Sequence, residues 1–113
     1  MPVQSAPTVT RNDERHRYEI HLDDLLAGYL DYYVDARGRL VIHHTLIDHA
    51  FEGRGLGTVL AAGTAADLAE RGETVVPTCP FFTRYLKSHE VPGLSIVWAD
   101  ETTPGPSASA VAG

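Results

Sequence analysis

The sequence predicts one small α/β domain, a mixed sheet of about four or five strands with two main helices packed on it. Three observations predict this fold. Residues 17–24 alternate apolar and polar side chains, as a half-buried strand does. A helical pattern covers residues 56–71 and follows three strand-like segments. A further strand and helix come after it, so we expect a mostly antiparallel sheet with one parallel pair.

The first three strands are expected over residues 17–24, 25–34 and 39–47. The second is rich in aromatic residues, and the third in β-branched residues. Gly28 inside the second strand indicates a bulge or a close approach of another backbone. Residues 35–38 form a turn, so the second and third strands make a hairpin.

The second half of the chain alternates helices and strands. The helix over residues 56–71 leads to a short apolar strand at 73–79, expected to run parallel to the third strand. Pro77 limits the ladder bonds of that strand and places it near an edge or a bulge. Residues 80–90 are typical of a second helix that begins with proline. Residues 93–99 are a candidate last strand.

Composition indicates an ordinary globular protein without a basic footprint. The chain has 113 residues and a net charge of −6, which argues against binding to nucleic acid or to an acidic membrane surface. Its single cysteine, Cys79, cannot form an internal disulfide, so a reducing compartment fits best. We see no leader-like or membrane-spanning apolar run and expect a cytoplasmic protein, a monomer or weak dimer.

Three regions are expected along the chain. Residues 1–14 are polar and expected to be flexible, and residues 15–99 form the folded domain. Residues 100–113 are rich in Pro, Ser, Ala and Gly and are typical of a disordered tail.

A glycine-rich loop precedes the first helix and invites two interpretations. Gly53, Gly55 and Gly57 could simply turn the chain from strand to helix. Alternatively, they let backbone N–H groups approach a phosphate at the helix N-terminus. The loop lacks the third glycine of the dinucleotide-binding fingerprint, where Leu60 stands, and the lysine of a Walker A loop. ATP and NAD are therefore not expected.

The loop and its setting resemble the GNAT superfamily of acetyl-CoA-dependent N-acetyltransferases. In that superfamily the acyl-CoA loop reads Q/R-x-x-G-x-G/A. Gly55 and Gly57 match its glycines, and Glu52 stands where the motif has Gln or Arg. The resemblance implies a GNAT-type sheet and acetyl-CoA as cosubstrate.

A second resemblance is to short GNAT-like N-acetyltransferase domains, the YidJ-like subgroup. The resemblance covers about residues 17–92. Members of this subgroup lack the C-terminal strands that shape the acceptor pocket in larger GNAT enzymes. Three linked motifs carry it, namely His44-Thr45-Leu46-Ile47 before the glycine loop, Pro77-Thr78-Cys79-Pro80-Phe81, and Tyr85 followed by His89.

The resemblance implies a set of cofactor-binding residues. The backbone of Leu46 and Ile47 would pair with the pantetheine arm, and one N–H would hold the thioester oxygen. Arg84 could meet a phosphate of coenzyme A. The loop residues implied to surround the pyrophosphate are Gly53, Arg54, Gly55, Leu56, Gly57 and Thr58.

The resemblance also implies three candidate catalytic residues. Cys79 would lie beside the coenzyme A sulfur, either as an acyl acceptor or only lining the pocket. His44 could take the proton of the amine, or be a hydrogen-bonded structural histidine. Tyr85 could protonate the leaving thiolate. GNAT chemistry needs no acyl-enzyme, so we expect direct attack of the amine in a ternary complex.

The same residues also bear on a metal site, on the acceptor and on alternative functions. Adjacent strand residues face opposite sides, so His43 and His44 are not expected to reach one site, and no metal is expected. The acceptor is expected to be a primary amine on a small molecule or peptide, and the acidic surface favours a cationic one. The alternatives are a non-catalytic coenzyme A-binding or protein-interaction domain, and a structural domain with a vestigial loop.

Overall fold

The computed structural model describes residues 6–99, which form one six-stranded sheet, two α-helices and a short 3₁₀ helix. The expected tail over residues 100–113 lies outside the described residues. The elements are β1 Thr8–Asn12, β2 Arg17–Leu22, β3 Leu25–Val34, β4 Leu40–Ile47, the 3₁₀ helix His49–Phe51, α1 Leu56–Arg71, β5 Thr74–Pro77, α2 Pro80–Ser88 and β6 Ser95–Ile96.

The strands lie in the sheet in the order in which they occur in the chain. Strands β1 to β4 are antiparallel, whereas β4, β5 and β6 are parallel. The mixed α/β fold is confirmed, with one strand more than expected and a second parallel pair. Each helix is a crossover between two parallel strands: α1 connects β4 to β5, and α2 connects β5 to β6. The second parallel pair therefore comes from the second crossover.

Strand β1 lies within the segment that was expected to be flexible. It pairs along its whole length with β2. Its Val9 packs against Gly63 of α1, where an added Cβ would lie 2.8 Å from the Val9 Cβ. Pattern analysis does not detect this strand, because Val9 is its only apolar residue.

The helices and the sheet share one apolar core. Leu60, Ala61 and Leu68 of α1 and Phe82 of α2 are fully buried in it. The sheet contributes Tyr18, Ile20, Leu30, Leu40, Ile42 and Val75.

Gly28 brings the backbones of β3 and β4 together, as its position in the sequence predicts. A Cβ at this position would lie 2.5 Å from the carbonyl oxygen of Leu46. The register of β2 and β3 also shifts beside it, between Ile20 and His21. The outer half of β4 is therefore set closely against β3.

Pro77 ends strand β5. It pairs with Ile42 of β4, while the pairing of β6 reaches only Val75. Strand β5 thus lies inside the sheet, between β4 and β6. Its proline lies beyond the last residue paired with β6, so the missing N–H of proline costs no hydrogen bond to that strand.

Candidate functional site

The sheet opens between β4 and β5 just beyond their last paired residues. The backbone N–H groups of Thr78 and Cys79 both donate to the carbonyl oxygen of Ile42, at 2.9 and 3.0 Å. The chain then enters α2, while β4 continues to Ile47. Among residues 6–99, no strand therefore pairs with the last residues of β4 on this side.

Strand geometry identifies which backbone groups face the gap. The Asp48 N–H donates to the carbonyl oxygen of Ala27, so Asp48 is oriented toward β3. Orientation alternates along a strand, so Leu46 is oriented toward β3 as well. Thr45 and Ile47 are oriented the other way, and their N–H and C=O groups face the gap. Of the two residues implied by the resemblance, the backbone of Ile47 lies at the gap and that of Leu46 does not.

A thiol and a hydroxyl meet at the bottom of this gap. The Thr45 Oγ1 lies 3.3 Å from the Cys79 Sγ, and either atom can be the donor. Cys79 is 5% exposed and is the residue that precedes α2. The short β5 strand places the thiol there, because β5 ends at Pro77 and α2 begins three residues later, at Pro80.

The glycine loop presents a helix N-terminus without a side-chain cap. Gly55 is the N-cap residue of α1, with a left-handed backbone at φ 73° and no capping side-chain bond. Gly53 is also left-handed, at φ 83°. The first turn of an α-helix has N–H groups without an intrahelical acceptor, and here they remain available to an anion.

Two adjoining cavities connect the loop with the gap. The larger, about 240 Å³, lies against the loop, and the smaller, about 180 Å³, lies against the gap. Ile47, Gly57 and Phe81 line both. Thr45 also lines the smaller one. The larger is also lined by Phe51, Glu52, Gly53, Gly55, Leu56 and Thr58.

Gly57 has a packing role that the sequence did not reveal. A Cβ there would lie 3.1 Å from Cζ of Phe81, a tight contact. Phe81 is the aromatic residue after Pro80 in the quoted motif, and its ring closes the cavity from the α2 side. Thr45, Phe51 and Phe81 are the lining residues that were not singled out from the sequence. Their places inside the quoted motifs or beside the loop were the available signal.

The loop carries one cation and one anion. The Arg54 guanidinium lies over the Phe51 ring, 5.7 Å from its centroid. The Glu52 carboxylate lies 3.2 Å from Nδ1 of the exposed His49. Glu52 therefore lines the cavity wall with its charge beside a histidine.

The two neighbouring histidines of β4 lie on the same face of the sheet. The register changes between Asp31 and Tyr32, so that His43 is an extra residue in β4. The His43 ring lies 5.5 Å from that of Tyr33, and the His44 ring 6.3 Å from that of Tyr29. Because these tyrosines are four residues apart in one strand, they share a face.

The expectation that His43 and His44 point to opposite sides is therefore wrong, and the bulge is the reason. His44 lies on the sheet face opposite the Thr45 side chain, and it does not line either cavity. Its role as a base stays a prediction.

The structure places Tyr85 and Arg84 away from the loop. The Tyr85 ring stacks on His89, with centroids 4.1 Å apart, and also on Phe82. It lines neither cavity beside the loop. Arg84 is exposed and lines a different groove, together with Lys87.

Residues 6–99 contain no cluster of three or more histidine, cysteine or carboxylate side chains placed to hold a metal ion. Within the same range, neither helix has the length and apolar character needed to cross a bilayer.

Fold and site together define a small α/β protein with an uncapped helix N-terminus at the carboxyl ends of parallel strands. Over residues 17–92 the sequence matches the protein family described as GCN5-related N-acetyl-transferase. The chain belongs to this family, which supports an acetyltransferase function in general and typically uses acetyl-CoA. The match does not resolve the YidJ-like subgroup. A search of curated proteins found no match.

Proposed function

We propose that this protein transfers an acetyl group from acetyl-CoA to a primary amine. The observation that carries the proposal is the continuity of three features. An uncapped helix N-terminus, a cavity and a strand with open backbone groups follow one another, and the cavity ends beside the Thr45–Cys79 pair. An extended ligand with phosphates at one end and a thioester at the other fits this order.

Different residues of the chain would bind different parts of acetyl-CoA. The N–H groups of the first turn of α1 would hold the pyrophosphate, with the Arg54 guanidinium as a charge-assisted donor. The outward backbone groups of Ile47 and Thr45 would pair with the amide groups of the pantetheine arm, as a missing strand would. Gly57 and Phe81 would pack against the arm. The free backbone orientation favours Thr45 and Ile47 over Leu46 for this pairing.

The chemistry is acyl transfer. A C–N bond forms between the acetyl carbon and the acceptor amine, the C–S bond of the thioester breaks, the amine loses a proton and the sulfur gains one. A backbone N–H of Thr45 or Ile47 would donate to the carbonyl oxygen as it becomes negative. Cys79 would lie beside the sulfur without forming an acyl-enzyme. His44 and Tyr85 are the proposed base and acid.

The cofactor is tested by calorimetric titration with acetyl-CoA and with coenzyme A. Gly55→Val is the test variant, and Gly38→Val is its matched control. Both glycines are left-handed, at φ 73° and 80°, and neither has an atom within 4 Å of an added Cβ. Both variants therefore carry a similar backbone strain of about 1–2 kcal/mol. We expect only Gly55→Val to abolish binding.

Absence of heat with the unmodified protein would overturn the cofactor assignment. Equal loss of binding in both variants would mean that strain rather than the loop is responsible. Binding without turnover across a broad panel of amines would leave a coenzyme A-binding domain without catalysis.

A further inference from the structure

A second groove lies between α2 and the segment that follows β6. Its volume is about 480 Å³, within the range of sites for small molecules. It is lined by Thr78, Pro80, Thr83, Arg84, Lys87 and Trp98, among others. None of these residues lines the cavities beside the glycine loop.

The groove and the proposed cofactor cavity lie on two sides of one turn. Thr78 and Pro80 line the groove, whereas Cys79 between them contacts Thr45 of the cofactor side. Phe81, the next residue, lines the cofactor cavity. Both spaces are at the carboxyl ends of the parallel strands, where α/β sheets bind their ligands. The groove is thus lined by the two residues that flank Cys79 in the chain.

The charges of the groove differ from those of the chain as a whole. The protein has a net charge of −6, but within residues 6–99 the charged side chains that line the groove are Arg84 and Lys87. Within residues 6–99, four other arginines form ion pairs with carboxylates, and neither of these two cations does. The Lys87 ammonium lies over the Trp98 ring, 5.5 Å from its centroid, which holds it at the groove.

We propose that this groove binds the acceptor, and that the acceptor is a small primary amine that also carries a carboxylate. The inference rests on the proposed function. Arg84 receives the carboxylate with two parallel N–H bonds, and Lys87 adds a second positive charge. The Trp98 ring packs against the apolar part of the molecule, and the amine points toward the turn at Cys79. The net charge of the protein favours a cationic acceptor, but in this groove such an acceptor would be repelled by Arg84 and Lys87.

Pairs of amines that differ only in the carboxylate give the test. L-phenylalanine and phenethylamine form one pair, and L-leucine and isopentylamine form another. We expect a higher kcat/KM for the amino acid of each pair. Arg84→Gln should lower that kcat/KM by about 10- to 100-fold, the effect of losing a hydrogen bond to a charged group. It should lower the kcat/KM of the decarboxylated amine far less, because that amine has no carboxylate to lose its partner.

Arg37→Gln is the matched control, because it removes the same charge from an exposed turn residue of the β3–β4 hairpin. Equal or better turnover of the decarboxylated amines would overturn the proposal. The second arm uses 3′-dephospho-acetyl-CoA. A loss in Arg84→Gln that appears with acetyl-CoA but disappears with this analogue would assign the arginine to the cofactor phosphate and likewise overturn the proposal.

A binding measurement separates the two proposals. N-acetyl-L-phenylalanine and N-acetylphenethylamine are titrated into the protein and into Arg84→Gln by NMR. Selective, arginine-dependent binding of the carboxylate, without turnover of any amine, would refute the acetyltransferase and retain the anion groove. Transfer without selective binding would refute the groove and retain the enzyme.

Discussion

The Thr45 hydroxyl and the Cys79 thiol lie 3.3 Å apart and join the end of β4 to the start of α2. Thr45 lies in β4 and Cys79 lies two residues after β5, just beyond the end of the ladder between the two strands, so the contact closes the bottom of the gap. Strand β4 therefore stays near β5 without hydrogen-bonding to it there. The thiol is fixed by a neighbouring hydroxyl rather than left as a buried apolar group.

Replacing Cys79 distinguishes a pocket residue from a nucleophile. With direct attack, Cys79→Ala should keep turnover within about tenfold, because the lost contact is worth roughly 1 kcal/mol. Intact-mass analysis after incubation with acetyl-CoA alone should find no acetylated protein. Thr45→Val serves as the control that removes the same contact but leaves the thiol. A loss of more than about a thousandfold in Cys79→Ala alone, with an acetyl adduct in the unmodified protein, would make the cysteine a nucleophile.

The packing of Gly63 on Val9 should couple β1 to α1. Gly63→Ala places a methyl group 2.8 Å from the Val9 Cβ. Overpacking should lower the free energy of unfolding by about 1–3 kcal/mol, partly offset by the better helix propensity of alanine. In Val9→Ala the same change should be neutral or stabilising. Urea unfolding of the four proteins measures this coupling, and additive effects would mean that the strand is not held by this contact.

Arg11 should hold β1 to the far end of the helix layer. Its guanidinium donates to Glu73, Asp13, Tyr18 and Tyr32. Burial alone would lower the pKa of Arg11, but the hydrogen bonds to Glu73 and Asp13 raise it well above its ordinary value.

We expect Arg11→Met to lower the free energy of unfolding by about 1–2 kcal/mol, since two carboxylates and two hydroxyls lose a charged donor. It should also speed hydrogen exchange in β1. Arg15→Met, in the exposed turn before β2, should change neither. If the two variants are equally stable, Arg11 does not secure the strand.

Glu19 should make the stability depend on acid. Burial would raise the pKa of this carboxyl, but hydrogen bonds from Arg17 and Asn12 lower it below its ordinary value. Its folded pKa is below the unfolded one, so its contribution is present above about pH 4.3 and disappears as the pH falls through the folded pKa.

Glu19→Gln should therefore be less stable than the unmodified protein at neutral pH, and the difference should shrink near about pH 3. Urea unfolding at the two pH values measures it. Glu14→Gln, in an exposed turn, is the control. A difference that does not change with pH would show that Glu19 contributes by shape rather than by charge.

The bounds of α1 can be predicted to the residue because glycines mark both of its ends. Gly55 lies just before the helix and Gly72 just after it, and both have a left-handed backbone. A left-handed backbone at a helix end can be predicted from a sequence, because that position is usually glycine. Strand β1 was missed because Val9 is its only apolar residue, and one apolar residue does not make an alternating pattern.

The geometry of the candidate site depends on register, which the side chains do not reveal. The bulge at His43 adds one residue to β4 without a characteristic residue type. It sets both the face of His44 and the orientation of the Thr45 backbone. Of the two strand residues predicted to bind the cofactor, Ile47 has its backbone at the gap, whereas Leu46 is oriented toward β3. The groove at Trp98 could not be predicted, because it depends on how α2 packs beside a strand of two residues.

The sheet can be assembled during synthesis by simple addition. Since the spatial order of the strands is their order in the chain, each new strand finds its partner already formed, and none has to be inserted between two others. Strand β4 serves in turn as the growing edge for β5, and the ladder between them stops after three residues. The proposed ligand would thus occupy a stretch of edge that residues 6–99 leave unpaired, and a bound acyl carrier would act there as an added strand.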